Sequence, residues 1–209
     1  GVYIDPKDDH FHGTHCAGTI GAVRNNGIGV AGVCWTVRLM AVKFLSAQGS
    51  GYLSDAILAI QYATNMGARI MSNSWGGGGS TQSLQDAITA AVDSGALFVA
   101  AAGNSNTTAP AYPAAYRGVL SVAATGSTDQ RASFSNYGEM VDVSAPGVSV
   151  YSTVLDGGYQ SFSGTSMACP HMSGLAALLR SIKPDLTSQE LQKVVQNTCD
   201  DIGPAGWDL

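Results

Sequence analysis

Short apolar segments alternate with segments of helical periodicity along this chain of 209 residues. The runs at 97–102 and 119–124 have the length and composition of buried strands. Residues 84–92, which precede the first of these runs, carry apolar side chains at helical spacing and are followed by Gly95. Strands that alternate with helices form a parallel sheet with helices on both faces. We therefore predict an α/β fold of three layers with a mostly parallel sheet.

The same patterns predict the remaining elements. Further strands are expected at 37–45, 68–75 and 141–145. One helix is expected to begin with Ser54 as its cap and to end at Gly67, and residues 167–182, apolar almost all round, indicate a buried helix. Thr187 and Glu190 have the spacing of a capping box for a last helix.

The composition bounds the class of protein. Hydrophobic residues make up 45% of the chain and charged residues 12%, a balance typical of a compact domain with a large core. The net charge of −5 at pH 7 disfavours nucleic acid and anionic membranes as partners. No apolar run approaches the ~18 residues of a membrane-spanning helix. Because no repeat or linker divides the chain, we expect residues 1–209 to belong to one domain.

The cysteines do not fix the compartment. They are Cys16, Cys34, Cys169 and Cys199. Their spacing matches no zinc-binding pattern. Free buried thiols and a single disulfide are both compatible with the sequence, so the redox environment stays open.

Three short segments carry side chains suited to catalysis: 12–19 (HGTHCAGT), 100–104 (AAAGN) and 163–171 (SGTSMACPH). His12 offers a base, and Ser166 offers a hydroxyl that is a weak nucleophile until a base lies beside it. Ser166 is expected to open the buried helix, whose N-terminus supplies a positive field and free N–H groups. Asn104 offers a side-chain amide directly after a strand. Taken alone, Ser166 also fits a helix cap and Asn104 a turn residue.

In order and spacing, these segments resemble the subtilisin-like serine proteases, or subtilases. The resemblance covers nearly the whole chain, and further matching segments lie at 25–33, 49–51, 72–77, 131–136 and 145–147. It implies the subtilisin-like α/β fold and a serine endopeptidase that works through a Ser-His-Asp triad and an acyl-enzyme. By this resemblance Ser166 is the nucleophile, His12 is the general base and Asn104 donates to the oxyanion.

The other histidines are expected to play no direct part. The family pattern makes His15 structural. An HxxH pair can also bind metal, but a zinc protease of the HExxH type needs a glutamate that this segment lacks. We expect His10 to be solvated and His171 to be a packing residue of the buried helix.

The aspartate of the triad is not evident. The carboxylates before His12 are Asp5, Asp8 and Asp9. Relatives carry the catalytic aspartate well upstream, at the end of the first core strand. Residues 2–5 look superficially like that strand, but 6–9 resemble the acidic loop that directly precedes the base. We therefore expect the aspartate-bearing strand and the C-terminal end of the domain to lie outside this chain, which would be nearly inactive or misfolded by itself.

The resemblance also implies a peptide-binding groove. Its candidate residues are Ser50, Gly51, Ser74, Trp75, Gly76, Ala101, Ala102, Gly103 and Ala111. The side chains around the expected specificity pocket are small, and the loop at 104–118 holds Arg117 but no acid. Because a pocket for lysine or arginine needs a carboxylate, we expect apolar or aromatic residues before the cut. Trp75 fits the core as well as it fits the groove wall.

Residues 24–30 resemble the calcium-binding loop that follows the base in subtilases. Calcium prefers hard oxygen ligands. The carbonyls of Arg24, Ile28 and Val30 and the side chain of Asn26 offer such oxygens. The remaining ligands of relatives come from upstream, so we expect calcium chiefly in the parent protein. A glycine-rich turn that binds no metal is the simpler alternative.

The family further implies a secreted monomer that is made with an N-terminal inhibitory propeptide and acts on proteins or peptides. A rival interpretation is an inactive pseudoprotease that keeps the groove for peptide binding, which would account for a missing aspartate. A nucleotide-binding α/β protein is disfavoured because no P-loop or GxGxxG segment lies between a strand and a helix.

Overall fold

The structure, a computed structural model, describes residues 6–202. Its centre is a parallel four-stranded sheet formed by β1 (Ile70–Asn73), β2 (Leu97–Ala101), β3 (Val119–Thr125) and β4 (Val143–Pro146). The strands lie in this order across the sheet, and Val99 of β2 pairs with Ser72 on one side and Leu120 on the other. Every residue of β2 and β3 is buried, as expected for parallel strands that are covered on both faces.

Helices cover both faces of the sheet. They are α1 (His12–Gly21), α2 (Leu53–Asn65), α3 (Gln82–Asp93), α4 (Thr165–Ile182) and α5 (Ser188–Thr198). Leu97 and Val99 pack in one apolar cluster with residues of α4 and α5, whereas Phe98 and Ala100 pack in a second cluster with residues of α2 and α3. Successive residues of β2 therefore face opposite layers. The prediction of three layers with helices on both faces of a parallel sheet is confirmed.

A hairpin that the sequence patterns did not predict packs against α1. Its strands are β5 (Val150–Thr153) and β6 (Tyr159–Phe162), which pair antiparallel around a 3-10 turn at Leu155–Gly157. Ser152 Oγ donates to the carbonyl of His15 at 2.8 Å. The ring of His15 is fully buried, and its Nε2 lies 3.0 Å from the Gln160 carbonyl. The hairpin and α1 are thus held together by buried hydrogen bonds.

Two details of the sequence prediction are wrong. Residues 37–45 form no strand, and they pair with no strand of the described sheet, whose edge on that side is β1. Ser54 does not cap α2, which already begins at Leu53 and has Tyr52 at its N-cap position with no side-chain bond.

Other local predictions are confirmed. The hydroxyl of Thr187 accepts from the Glu190 backbone N–H at 3.2 Å, and the Glu190 carboxylate accepts from the Thr187 N–H at 2.9 Å, which completes the capping box. Gly67 and Gly95, which follow α2 and α3, have φ values of 76° and 95°. Glycine adopts this left-handed conformation at little cost, which is why it ends helices.

The cysteines at 16, 34, 169 and 199 are free thiols in the described structure. Within residues 6–202, the helices are all too short or too polar to cross a bilayer.

Candidate active site

The start of α1 is fixed by Asp8. One carboxylate oxygen accepts from the backbone N–H groups of His10 and Phe11 at 2.9 and 3.1 Å, and the other accepts from the N–H and hydroxyl of Thr14 at 2.8 and 2.7 Å. Burial raises the pKa of Asp8, but these hydrogen bonds to the charged form outweigh it and the net pKa is lowered. Asp8 therefore anchors the turn that leads into His12.

The ring of His12 lies half-buried at the beginning of α1. Its Nδ1 is 4.0 Å from the sulfur of Cys16, one helical turn later. Burial lowers the pKa of His12 below its usual 6.5, and the charges of His10 and His15 lower it further, whereas Asp8 raises it. The neutral imidazole that results at neutral pH is the form that can accept a proton.

Cys16 joins α1 to the first turn of α4. Its thiol donates to the Ser166 carbonyl at 3.5 Å. Burial raises the pKa of Cys16 to about 12, so it remains a thiol at neutral pH. The hydroxyl of Ser74, just beyond β1, donates to the same carbonyl at 2.8 Å. Cys16 is therefore a neighbour of both His12 and the main chain of Ser166, whereas no hydrogen bond joins the His12 ring to the Ser166 hydroxyl within residues 6–202.

Ser166 is the second residue of α4. Its hydroxyl donates to the Ser74 carbonyl at 3.3 Å, a long and therefore weak bond. The backbone N–H groups of a first helical turn have no partners inside the helix, and the helix dipole makes this end positive. The expectation that Ser166 lies at the start of the buried helix is confirmed.

Asn104 follows β2 and faces the same turn. Its Oδ1 accepts from the Thr165 backbone N–H at 2.9 Å and from the Thr165 hydroxyl at 3.0 Å. Because a backbone N–H can only donate, the oxygen of Asn104 must face Thr165. The NH2 group points away from Thr165 and has no hydrogen bond within residues 6–202. A Cβ built on Gly164 would lie 3.7 Å from this Nδ2. The amide of Asn104 thus lies beside the turn that precedes Ser166.

The predicted groove segments meet beside these residues. A Cβ on Gly103 would lie 3.5 Å from that of Ala111, and the Gly77 N–H donates to the Tyr112 carbonyl at 3.2 Å. These contacts bring together the three wall segments, which carry Ser74, Trp75, Gly76, Ala101, Ala102, Gly103 and Ala111. Ala101 and Ala102 are buried.

Trp75 connects this wall to the segment that carries Ser50 and Gly51. The indole packs partly buried against the core, its Nε1 donates to Asn73 Oδ1 at 2.9 Å, and its ring meets Phe44 edge-on at 5.1 Å. Ser50 and Gly51 are exposed. Trp75 therefore belongs to the core on one side, and its place in the groove stays a prediction.

The loop at 24–30 is exposed for most of its length. Asn26 Oδ1 accepts from the Ile28 N–H at 3.0 Å, and the guanidinium of Arg24 lies 4.2 Å from the ring centre of Trp35. Across residues 6–202, no group of three or more His, Cys, Asp or Glu side chains could hold a metal. The oxygens that residues 24–30 themselves offer to an ion are neutral, because this segment has no acidic side chain.

Comparison with known proteins identifies the family, because the model of the subtilase family matches residues 3–209. The chain belongs to the subtilases. It is 43% identical to thermitase of Thermoactinomyces vulgaris over 96% of this chain and 71% of that protein. It is 42% identical to subtilisin Savinase of Lederbergia lenta over 94% of the chain and 73% of that protein.

Other relatives extend the comparison. A thermophilic serine proteinase of Bacillus sp. (strain AK1) is 44% identical over 97% of the chain, which spans 50% of that protein's length. The crystal structure of a cold-adapted subtilisin-like serine proteinase superposes with a TM-score of 0.90 at 36% identity, covering 98% of this chain and 74% of that one. The subtilisin-like fold is confirmed, and family membership makes the chain a hydrolase of the serine-peptidase class.

Sequence reasoning missed several residues that this subtilase uses to build the site. Cys16 could have been noticed, because it lies four residues after His12 on one helix face. Thr165 is adjacent to Ser166, but nothing in its type or position indicates a bond to Asn104. The predicted strand-like segment 2–5, with Asp5, lies outside the described residues. His10 stacks on Phe11 at 4.5 Å, and His171 is held within α4 by the Met167 carbonyl at 2.8 Å.

Proposed function

We propose that this chain carries the catalytic machinery of a serine endopeptidase that cleaves peptide bonds through an acyl-enzyme. Ser166 is the nucleophile, His12 the general base and Asn104 the side-chain donor to the oxyanion. One observation carries the proposal: the oxygen of Asn104 is held by two donors of Thr165, which leaves its NH2 group free beside the turn before Ser166. A residue that only shaped the turn would not need its side-chain oxygen held by two donors of a residue so distant in the chain.

The reaction follows from these groups. The Ser166 hydroxyl attacks the peptide carbonyl while His12 takes its proton, and the carbonyl oxygen becomes an oxyanion. The NH2 of Asn104 and the backbone N–H of Ser166 donate to that oxyanion. His12 then gives its proton to the leaving amine, and water hydrolyses the acyl-enzyme by the same steps. The lowered pKa of His12 supports the first transfer, because the neutral ring accepts the proton.

The third triad position is assigned to an aspartate outside residues 6–202. Asp8 does not suit it, because its oxygens already accept from His10, Phe11 and Thr14. Within the described residues, the polar neighbour of His12 Nδ1 is the Cys16 thiol at 4.0 Å. A thiol with a raised pKa does not stabilise an imidazolium as a carboxylate does. Removal of the aspartate from subtilisin lowers kcat by about 3 × 10⁴-fold, so we expect residues 6–202 to be strongly impaired without that aspartate.

The substrates are proteins or peptides with an apolar or aromatic residue before the cut. The pocket segments carry alanine and glycine, and Arg117 is the charged residue of the loop at 104–118. A pocket of this kind has space but no carboxylate for a basic side chain. Faster cleavage after arginine than after phenylalanine or leucine in a peptide library would contradict this specificity.

Calcium, secretion and a propeptide belong to the same proposal. The loop would offer a calcium ion the carbonyl oxygens of Arg24, Ile28 and Val30 and the side-chain oxygen of Asn26. Calcium binds about six to eight oxygens, so its remaining ligands must come from outside this loop. A melting temperature that rises with calcium and falls with a chelator would support binding. We further propose a secreted monomer made with an inhibitory N-terminal segment.

Fluorophosphonate labelling tests the enzyme directly. The 209-residue chain and a version extended upstream with its natural sequence are each labelled beside a Ser166→Ala control. Labelling of the extended chain at Ser166, with little or none in the control, is the expected result. If neither chain is labelled although both are folded, the proposal is wrong. The groove would then bind peptides without cleaving them.

A further inference from the structure

A segment distant in sequence runs beside the loop that carries Asn104. We call residues 102–108 the oxyanion loop and residues 131–138 the clamp segment. The Asn136 N–H donates to the Gly103 carbonyl at 2.9 Å, and the Asn106 N–H donates to the Phe134 carbonyl at 2.8 Å. The Tyr137 N–H donates to the Thr107 carbonyl at 3.2 Å. The two segments are therefore joined by backbone hydrogen bonds along most of their length.

The side chain of Asn136 adds bonds on both sides of Asn104. Its Nδ2 donates to the Ala102 carbonyl at 2.9 Å, and its Oδ1 accepts from the Ser105 N–H at 2.9 Å. A carbonyl can only accept and an N–H can only donate, so these partners fix the orientation of the amide. Asn136 is 5% exposed, which makes both bonds costly to lose.

Gly103 shows how closely Asn136 fits. The φ of Gly103 is 109°, in the region that favours glycine, and a Cβ at this position would collide with Nδ2 of Asn136. The main chain directly before Asn104 is thus pressed against the Asn136 amide. Space left by a smaller side chain would allow the oxyanion loop to shift.

A second contact between the two segments lies further from Asn104. Arg131 Nη1 donates to Asn106 Oδ1 at 2.9 Å and to the Ser135 carbonyl at 2.6 Å. The Asn106 side chain is exposed. This contact ties the same two segments together but does not touch the peptide groups beside Asn104, so it provides a matched control.

We propose that Asn136 is the positioning residue for the oxyanion donor. Thr165 holds the oxygen of the Asn104 side chain, and Asn136 holds the main chain at residues 102, 103 and 105, from which that side chain projects. Both ends of Asn104 are then fixed, which leaves one direction for its free NH2 group. This inference rests on the proposed function, because it assigns Asn136 a role in transition-state binding.

The test measures kcat and KM of Asn136→Ala, Asn136→Asp and Asn106→Gly in the natural full-length product that contains this chain, with a peptide p-nitroanilide. Both Asn136 variants are expected to lower kcat by about 10- to 100-fold with little change in KM, since small misplacements of catalytic groups cost up to about 100-fold. Asn106→Gly should stay within about twofold, because it keeps the main chain in place. Affinity for a peptide boronic acid should fall by the same factor as kcat, because the boronate mimics the oxyanion.

A double-mutant cycle separates positioning from general damage. In an Asn104→Ala background, Asn136→Ala should change kcat by less than about twofold, because the donor to be positioned is already gone. An equal loss in both backgrounds would overturn the inference. Asn136→Asp keeps the acceptor for Ser105 and the size of the side chain, so it gives the same test if Asn136→Ala does not fold. Failure of the proposed function looks different, since the unmutated protein would then show no hydrolysis.

Discussion

Thr165 offers a sharp test of how the oxyanion donor is held. It is completely buried directly before Ser166, and its hydroxyl has two partners. The hydroxyl donates to Asn104 Oδ1 at 3.0 Å and accepts from the Gly103 N–H at 3.2 Å. Thr165→Val keeps the shape of the side chain and removes both bonds. The backbone N–H of Thr165 still donates to Asn104 Oδ1.

The expected magnitudes follow from these contacts. A neutral hydrogen bond contributes about 0.5–1.5 kcal/mol, so a loss felt entirely in the transition state lowers kcat by about 2- to 13-fold. Complete loss of the oxyanion donor costs about 100- to 1000-fold in subtilisin, which sets an upper limit. The Gly103 N–H loses its partner, which costs about 1–3 kcal/mol of unfolding free energy. For a domain of this size, each kcal/mol lowers the melting temperature by about 2–4 °C.

The assay compares kcat, KM and melting temperature of Thr165→Val and Thr165→Ser in the natural full-length product. The serine variant keeps the hydroxyl and should stay close to the unmutated enzyme in kcat. The valine variant should lose kcat without a matching rise in KM, because the bond acts on the transition state. A folded valine variant with unchanged kcat would refute the argument. Equal losses in both variants would also refute it, since packing rather than the hydroxyl would then be responsible.

Three further predictions concern α1. An NMR titration of the His12 ring in this chain should give a midpoint below 6.5, because burial disfavours the imidazolium. The free energy of unfolding that is linked to this ring should rise with pH up to 6.5 and should be lost as the pH falls through the lowered pKa. A midpoint above 6.5 would contradict this prediction. Asp8→Asn should lower the unfolding free energy in urea by about 1–3 kcal/mol, since donors such as Thr14 lose a charged acceptor. Because the folded pKa of Asp8 is lowered, that difference should be present above pH 3.8 and vanish as pH falls through the folded pKa. Gly18→Ala should lower the free energy of unfolding by about 1–3 kcal/mol in the same urea assay, because the added Cβ would collide with Thr153 in the hairpin. An unchanged unfolding midpoint would contradict this and would show that the hairpin can move to make room.

The layers of the fold could be predicted because the strands and helices that form them have sequence patterns that can be recognised locally. The continuous apolar run at 97–102 predicts a strand covered on both faces, which the burial of β2 confirms. The Thr187–Glu190 box predicts the start of α5 without knowledge of its neighbours. Residues 37–45 have the composition of a strand, but a strand exists only where another strand accepts its hydrogen bonds. The β5–β6 hairpin was missed because its strands, VYST and YQSF, show neither a continuous apolar run nor a strict alternation of apolar and polar residues.

In the candidate active site, too, locally encoded residues could be predicted and residues positioned by long-range contacts could not. The motifs predict His12, Asn104 and Ser166 because the atoms proposed to react, or to bind the oxyanion, lie on residues that the motifs themselves contain. The groups that orient these atoms belong to pairs such as Asn136 with Ala102 and Cys16 with Ser166, whose members are far apart in the chain. No local pattern specifies such a pair, since the amide of Asn136 would satisfy its hydrogen bonds equally well in many loops. These partners are selected by the packing of segments that are distant in the chain: the clamp segment on the oxyanion loop for Asn136, and α1 on α4 for Cys16. The residues that orient the reacting groups are therefore the ones that a sequence is least able to predict.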